Sequence, residues 1–175
     1  MKIEIRTALP SDSVLLSDIG GKTFYETWRP VNTEEDMQTY IKKSFDPKMI
    51  KAEIESKTIN TFLSAFIERQ LIGYVKLRRD RTQENFNNES AIEIERIYVL
   101  KEFQDQKAGK ALMDRCLEIA MDEKFSWIWL GVNVDNHKAI NFYKRYGFTV
   151  FGEKSFQLGE AVDKDFLMKR KVNVA

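Results

Sequence analysis

The chain has 175 residues, of which 43% are hydrophobic, enough to build the buried core of one domain, read as residues 1–175. Its 28 lysines and arginines nearly cancel its 27 aspartates and glutamates, leaving +1, which argues against nucleic acid as a partner, since such domains carry a clear basic excess. One cysteine excludes an internal disulfide, no apolar run is long enough to span a membrane, and the N-terminus MKIEIRTALPSD lacks the apolar stretch of a secretory signal, so a soluble cytoplasmic protein is expected.

In chain order, residues 2–8 alternate Ile3 and Ile5 with charges and are read as a strand. Pro10-Ser11-Asp12 starts a helix over residues 13–28, with Val14, Leu15, Ile19, Phe24 and Trp28 at helical spacing. Thr33-Glu34-Glu35-Asp36 has the pattern of a capping box opening a second helix, and residues 48–56 suit a third. Residues 61–68 and 71–79 read as a hairpin turning at Arg69-Gln70, with Gly73 at a bulge. The polar segment 78–89 is expected to be a hairpin loop, followed by the strong strand AIEIERIYVL over residues 91–100. A polar segment, 101–110, leads into an amphipathic helix whose apolar stripe is Ala108, Leu112, Met113, Cys116, Leu117 and Ala120. SWIWLGV, residues 126–132, is a buried strand by composition, and residues 136–146 are a short helix closed by Gly147. Strands over residues 148–156 and 166–170 complete a mixed α/β domain, in which strand–helix–strand from 91 to 132 implies a parallel crossover.

The segment after the 91–100 strand carries the first chemical signal. A loop feeding a helix N-terminus offers unpaired N–H groups and a positive dipole end, which suits a pyrophosphate. Gly109 lets the backbone approach a ligand, and Gln104, Gln106, Lys107 and Lys110 supply donors and positive charge. A single glycine before a helix is more often an ordinary turn, so the pattern taken alone is weak.

The stretch ERIYVLKEFQDQKAGKAL, residues 95–112, resembles motif A of the GCN5-related N-acetyltransferases: a strand, Gln/Arg-x-x-Gly-x-Gly/Ala, then a helix. Counted from Val99, Gln104 takes the first position, Gly109 the last, and Lys107 stands where glycine is usual. Residues 136–148, NHKAINFYKRYGF, are similar to motif B, with Asn136, Ala139, Phe142-Tyr143 and Gly147-Phe148 in order. The resemblance implies a mostly antiparallel central sheet splayed at its middle, with helices on both faces, and acetyl-CoA as cosubstrate with no metal. It implies that Ile97, Tyr98 and Val99 bind the pantetheine arm, and that Gln104, Asp105, Gln106, Lys107, Ala108, Gly109 and Lys110 cradle the phosphates. Asn136, Lys138 and Tyr143 then complete the cofactor contacts. Tyr143 matches the general acid that protonates the leaving thiolate; a core aromatic is the competing reading. Asn136 equally suits a helix N-cap.

Glu93 and Glu95 share one face of the strand just before this segment, so either can take the amine proton, hold a cationic substrate, or be a solvated carboxylate; Glu95 is nearer the thioester and ranks first. His137 is the only histidine, and Cys116 lies on the apolar helix stripe, where a small core residue is expected. Thr23 to Trp28, Gly73 to Lys76, IEIERIYV and IWLGV also look like the Pai-type bacterial spermidine/spermine acetyltransferases. That likeness implies a polyamine acceptor and a groove in which Phe24, Tyr25, Glu26, Trp28 and Glu95 bind it, with Glu34 to Asp36 nearby. Structural readings compete at these positions: Phe24 and Trp28 also suit the core, and Glu34 to Asp36 also suit a helix first turn. A protein N-terminus, a lysine or another small amine is the in-class alternative, and a non-catalytic acetyl-CoA sensor is the alternative of another class. A homodimer is also among what the resemblance implies.

Overall fold

The alternating Ile3/Ile5 segment forms β1 (Glu4–Thr7), which pairs antiparallel with β2 (Asn60–Ile67) from Glu4↔Phe66 to Thr7↔Leu63. The computed structural model describes residues 2–81 and 86–172. The remaining elements are α1 (Ser13–Trp28), α2 (Glu34–Ser44), α3 (Pro47–Glu55), β3 (Gln70–Arg78), β4 (Ala91–Val99), α4 (Ala108–Asp122), β5 (Trp127–Asn133), α5 (His137–Arg145), β6 (Thr149–Leu158) and β7 (Ala161–Lys171). The strands are hydrogen-bonded in the order β1-β2-β3-β4-β5-β7-β6. β4 and β5 are parallel, as the crossover pattern requires, and the other registered pairs are antiparallel. Of the expected 78–89 loop, residues 82–85 lie outside the described residues. Among the described residues, no helix is long and apolar enough to cross a membrane.

Local chemistry accounts for most element ends. Thr33 accepts a hydrogen bond from the Asp36 amide at 3.2 Å, which caps α2, and Asp46 accepts one from Lys48 at 2.7 Å, which caps α3. The β2–β3 hairpin turns one residue earlier than its sequence suggests, at Glu68 and Arg69, both at positive φ (47° and 69°). This is the geometry of a tight two-residue hairpin, here without glycine. β7 begins at Ala161, five residues before the expected Phe166. The two-residue turn at Gly159-Glu160 lets β6 and β7 pair from Leu158↔Ala161 onward, so polar AVDKD is strand by pairing rather than by hydrophobicity.

The chain divides into two compact units, residues 1–77 with 96–115, and residues 78–95 with 116–175. In the first, an aromatic chain fills the core: Phe24 stacks on Tyr40 at 4.4 Å and lies 5.8 Å from Phe45, and Tyr98 sits edge-on to Phe45 (6.0 Å) and Tyr74 (5.5 Å). α1 reaches this cluster through Gly20. A Cβ there would lie 2.5 Å from the Phe45 ring and 2.6 Å from the Tyr74 hydroxyl. In the second unit, Phe86, Ala91, Trp129 and Leu167 form a core, against which Trp127 and Phe151 pack.

Helix propensity alone makes Gly20→Ala stabilising by about 1 kcal/mol. The collision reverses the sign: Gly20→Ala is expected to lose about 1–3 kcal/mol of unfolding free energy in urea, as overpacked cores do. A gain in stability would show that α1 does not approach the aromatic cluster this closely.

Candidate active site

β4 changes partners along its length. It pairs with β5 from Ala91↔Trp127 to Ile94↔Leu130, and the register goes no further, although β4 runs on to Val99 and β5 to Asn133. The second half of β4 is held by the first unit. Leu100 donates from its backbone to Ile72 at 2.9 Å, and Arg96 donates to the Ser44 carbonyl at 3.0 Å and lies over the Phe45 ring. Gly73, expected at a bulge, lies close to the β4 backbone. Its role is close approach, since a Cβ there would stand 2.5 Å from the Tyr98 carbonyl oxygen and 3.1 Å from Val99 Cα. The ladder ends while its strand continues, so Ile97 to Val99 lie outside the pairing with β5.

After β4 comes a 3-10 turn, Lys101–Gln106, braced by Gln104, whose side-chain amide donates to the Val99 carbonyl at 3.4 Å. Lys107 then adopts a left-handed conformation, φ 65° and ψ 14°, and α4 begins at Ala108. Lys107 supplies the carbonyl that accepts the first helical bond, from the Ala111 amide at 3.0 Å. The amides of Ala108, Gly109 and Lys110 therefore precede the helical ladder at the positive end of a 15-residue helix, the arrangement that suits a phosphate. The left-handed turn explains why glycine is usual where Lys107 stands: a non-glycine residue holds this conformation at a cost of about 1–2 kcal/mol. Ala108 is buried, whereas Gln104, Asp105 and Lys107 are exposed. The Lys110 ammonium is 2.6 Å from Asp114, one helical turn on, a pairing that tempers the positive charge expected of it.

The expected acceptor groove is only partly a surface. Phe24 is buried in the aromatic chain, with Trp28 6.1 Å from its ring, so Phe24 supports α1 rather than lining it. Tyr25 donates to Glu34 at 2.7 Å, and Arg29 to the same oxygen at 2.8 Å, an exposed triad between α1 and the start of α2. Glu26 faces Lys22 at 3.9 Å.

The second unit holds the carboxylates and α5. Glu93 is 2% exposed, and burial pushes its carboxyl above the usual carboxylate range, with Arg81 opposing. Arg81 bridges the pair, at 3.5 Å from Glu93 and 3.6 Å from Glu95, and Arg78 lies 3.4 Å from Glu95. Both side chains thus share one face of β4, as alternation required. Asn136 caps α5, its Oδ1 accepting from the Ala139 amide at 3.1 Å, and Lys138 follows in the first turn. Tyr143 is buried beside Phe142 and Phe148, and burial, with Cys116 adding to it, raises its phenol well above the ordinary value. Cys116 is fully buried, the small core residue its helix stripe suggested. Arg78, Arg81, and further along the same sheet Lys154 and Asp165, were not legible as neighbours of these carboxylates. Only strand register brings them there.

The model of the acetyltransferase (GNAT) family matches residues 22–148, and the chain belongs to that family. It is 34% identical over 152 residues to an uncharacterized N-acetyltransferase of Lactobacillus delbrueckii subsp. lactis, 87% of each chain being covered. It is also 26% identical over 175 residues to the spermidine N(1)-acetyltransferase of Thermoplasma acidophilum, covering 98% of both. The crystal structure of the PaiA N-acetyltransferase of Thermoplasma acidophilum, solved with coenzyme A, superposes with a TM-score of 0.79 at 25% identity, over 98% of this chain and 99% of that one.

Two expectations follow from this geometry. Lys107→Gly relieves the left-handed strain but loosens the unfolded chain, so a net gain of about 0.5–1 kcal/mol in chemical denaturation is expected; a loss would mean that the lysine side chain stabilises the turn. Because Glu93 folds more readily when neutral, its charged form opposes folding once pH exceeds the ordinary carboxylate range. Glu93→Gln should melt above the wild type at pH 7, with the difference shrinking as pH falls toward about 4. Equal melting at pH 7 would contradict the desolvated carboxylate.

Proposed function

We propose that the chain transfers an acetyl group from acetyl-CoA to a primary amine by direct attack, and that the acceptor is a cationic amine of the polyamine class. The observation that carries the reading is the left-handed turn at Lys107, which opens α4 after the 3-10 turn that follows a strand whose ladder with β5 has ended. The amides of Ala108, Gly109 and Lys110, with Gln104, Gln106 and Lys107 beside them in sequence, hold the pyrophosphate. The backbone of Ile97 to Val99 holds the pantetheine arm, and an N–H there polarises the thioester carbonyl. Asn136, with its Oδ1 committed to the helix cap, has its Nδ2 donor left for the cofactor.

The amine nitrogen attacks the thioester carbon, the tetrahedral oxyanion collapses, and the carbon–sulfur bond breaks. The amine proton passes to Glu95, the carboxylate two residues before Ile97 on the same strand, or to Glu93 one pleat further back. Tyr143, kept protonated by burial across neutral pH, donates to the departing sulfur. The polyamine assignment is supported by the spermidine acetyltransferase relative and by the carboxylates of β4, which suit a polycation.

Thiol release from acetyl-CoA, measured over a panel of spermidine, spermine, lysine peptides and small arylamines, tests this reading. Turnover confined to the polyamines is expected; turnover on peptides alone would discard the polyamine acceptor, and binding without turnover would discard catalysis. In the same assay Tyr143→Phe is expected to lower kcat about 100-fold with acetyl-CoA affinity retained. An unchanged kcat would remove the general-acid role.

A further inference from the structure

Strand register in the second unit gathers a set of charges of which the transfer chemistry above uses Glu93 alone, and only as the alternative to Glu95. Glu93 lies opposite Trp129 on β5; two residues along the same face comes Gly131, and then Asn133, opposite Asp165 on β7, which itself lies opposite Lys154 on β6. Gly131 leaves this face open at its centre. A Cβ built there would stand 3.1 Å from the Lys154 ammonium and 3.6 Å from Asp165 Oδ2. The Lys154 side chain therefore lies across the glycine, its charge acting on both Asp165 and Glu93.

The carboxylates in this patch are incompletely served. Glu93 Oε2 is buried and accepts no hydrogen bond among the described residues, Arg81 being at 3.5 Å. Across the ladder, the Trp129 indole N–H is buried without an acceptor among the described residues. Lys154 reaches Asp165 only at 4.0 Å, and its side chain is 42% exposed. Buried polar groups left this way are costly unless a ligand or water completes them. A long, partly solvated lysine at the limit of ion-pair distance is easily displaced.

We propose that Glu93 and Asp165, on either side of Gly131, form an ammonium subsite that takes a second cationic nitrogen of the acceptor, with the Lys154 ammonium as its resident stand-in. The proposal deepens the polyamine reading and rests on it. A diamine or longer polyamine displaces Lys154 into solvent and places a charged nitrogen between two carboxylates, with its methylenes over the bare glycine. A monoamine has nothing to place there. The subsite thus sets selectivity for polycations over monoamines, with Glu93 given to it and Glu95 left as the proton acceptor.

Steady-state kinetics with spermidine and with hexylamine, on the wild type, Asp165→Asn and Lys154→Met, test it. Asp165→Asn is expected to raise the spermidine KM about tenfold, one charge-assisted contact, with a much smaller change for hexylamine. Lys154→Met, an exposed substitution that keeps the methylene chain, is expected to lower the spermidine KM several-fold by removing the competing cation. The KM for acetyl-CoA is the internal control and should stay put in both variants. Equal effects on the two amines, or no effect of either variant, would overturn the subsite. If the wild type acetylates neither amine, the catalytic reading fails on its own, and the same three proteins are titrated with spermidine by calorimetry. Weaker binding by Asp165→Asn and tighter binding by Lys154→Met would uphold the subsite, and three equal dissociation constants would overturn it.

Discussion

The site depends on β4 continuing as a strand after its ladder with β5 has ended. Strands lose half their backbone hydrogen bonds on one side when a ladder stops, and they persist only if something else holds them. Here the first unit does so. The β3 side supplies the ladder, Gly73 lets the two backbones close to a distance no side chain allows, and Tyr98 is wedged between Phe45 and Tyr74. Arg96 adds a hydrogen bond to Ser44 and lies 3.9 Å from Glu53, which also pairs with the buried Lys76 at 2.7 Å. Such a network is expensive to break once one partner is removed. Held from that side, Ile97 to Val99 can present backbone groups to a ligand without fraying, and the turn at Lys107 can deliver the start of α4 after the 3-10 turn that follows them.

The strain at Lys107 and the desolvation of Glu93 are of the same kind. Each is a local cost, backbone strain in the one case and desolvation of a charge in the other. A left-handed residue aims three amides outward at a helix start, and a buried carboxylate is a better proton acceptor and a stronger electrostatic partner than one in water. At Tyr143 burial acts in the same direction, favouring the neutral phenol.

Much of this was legible in the sequence because it rests on local pattern. The helix of α4, the strands β4 and β5, the Thr33 cap and the Asn136 cap follow from periodicity and capping chemistry within a few residues. Motif spacing located Tyr143 and the Lys107 turn, and the departure from glycine at Lys107 was visible before its cause was. What was not legible depends on register and on space. The hairpin turning at Glu68-Arg69 uses residues with no turn signature, and β7 extends through polar AVDKD because β6 pairs with it. Gly73 stood out in the sequence, but its close approach to Tyr98 could not be read there, because sequence cannot show what a missing Cβ avoids. Phe24 suited either the groove or the core in the sequence, and its stacking on Tyr40 places it in the core. The Arg81 bridge to Glu93 and Glu95, and Lys154 beside Asp165, join residues whose proximity exists only after the sheet is assembled.

The central claim is that the amides opening α4 after the Lys107 turn hold the cofactor's pyrophosphate. Backbone amide NMR shifts recorded on titration with coenzyme A, and separately with pantetheine, test it most directly. The amides of Ala108, Gly109 and Lys110 should move strongly with coenzyme A and little with pantetheine, which lacks the pyrophosphate, whereas Ile97 to Val99 should respond to both. Equal responses of the α4 amides to the two ligands, or none, would contradict the claim.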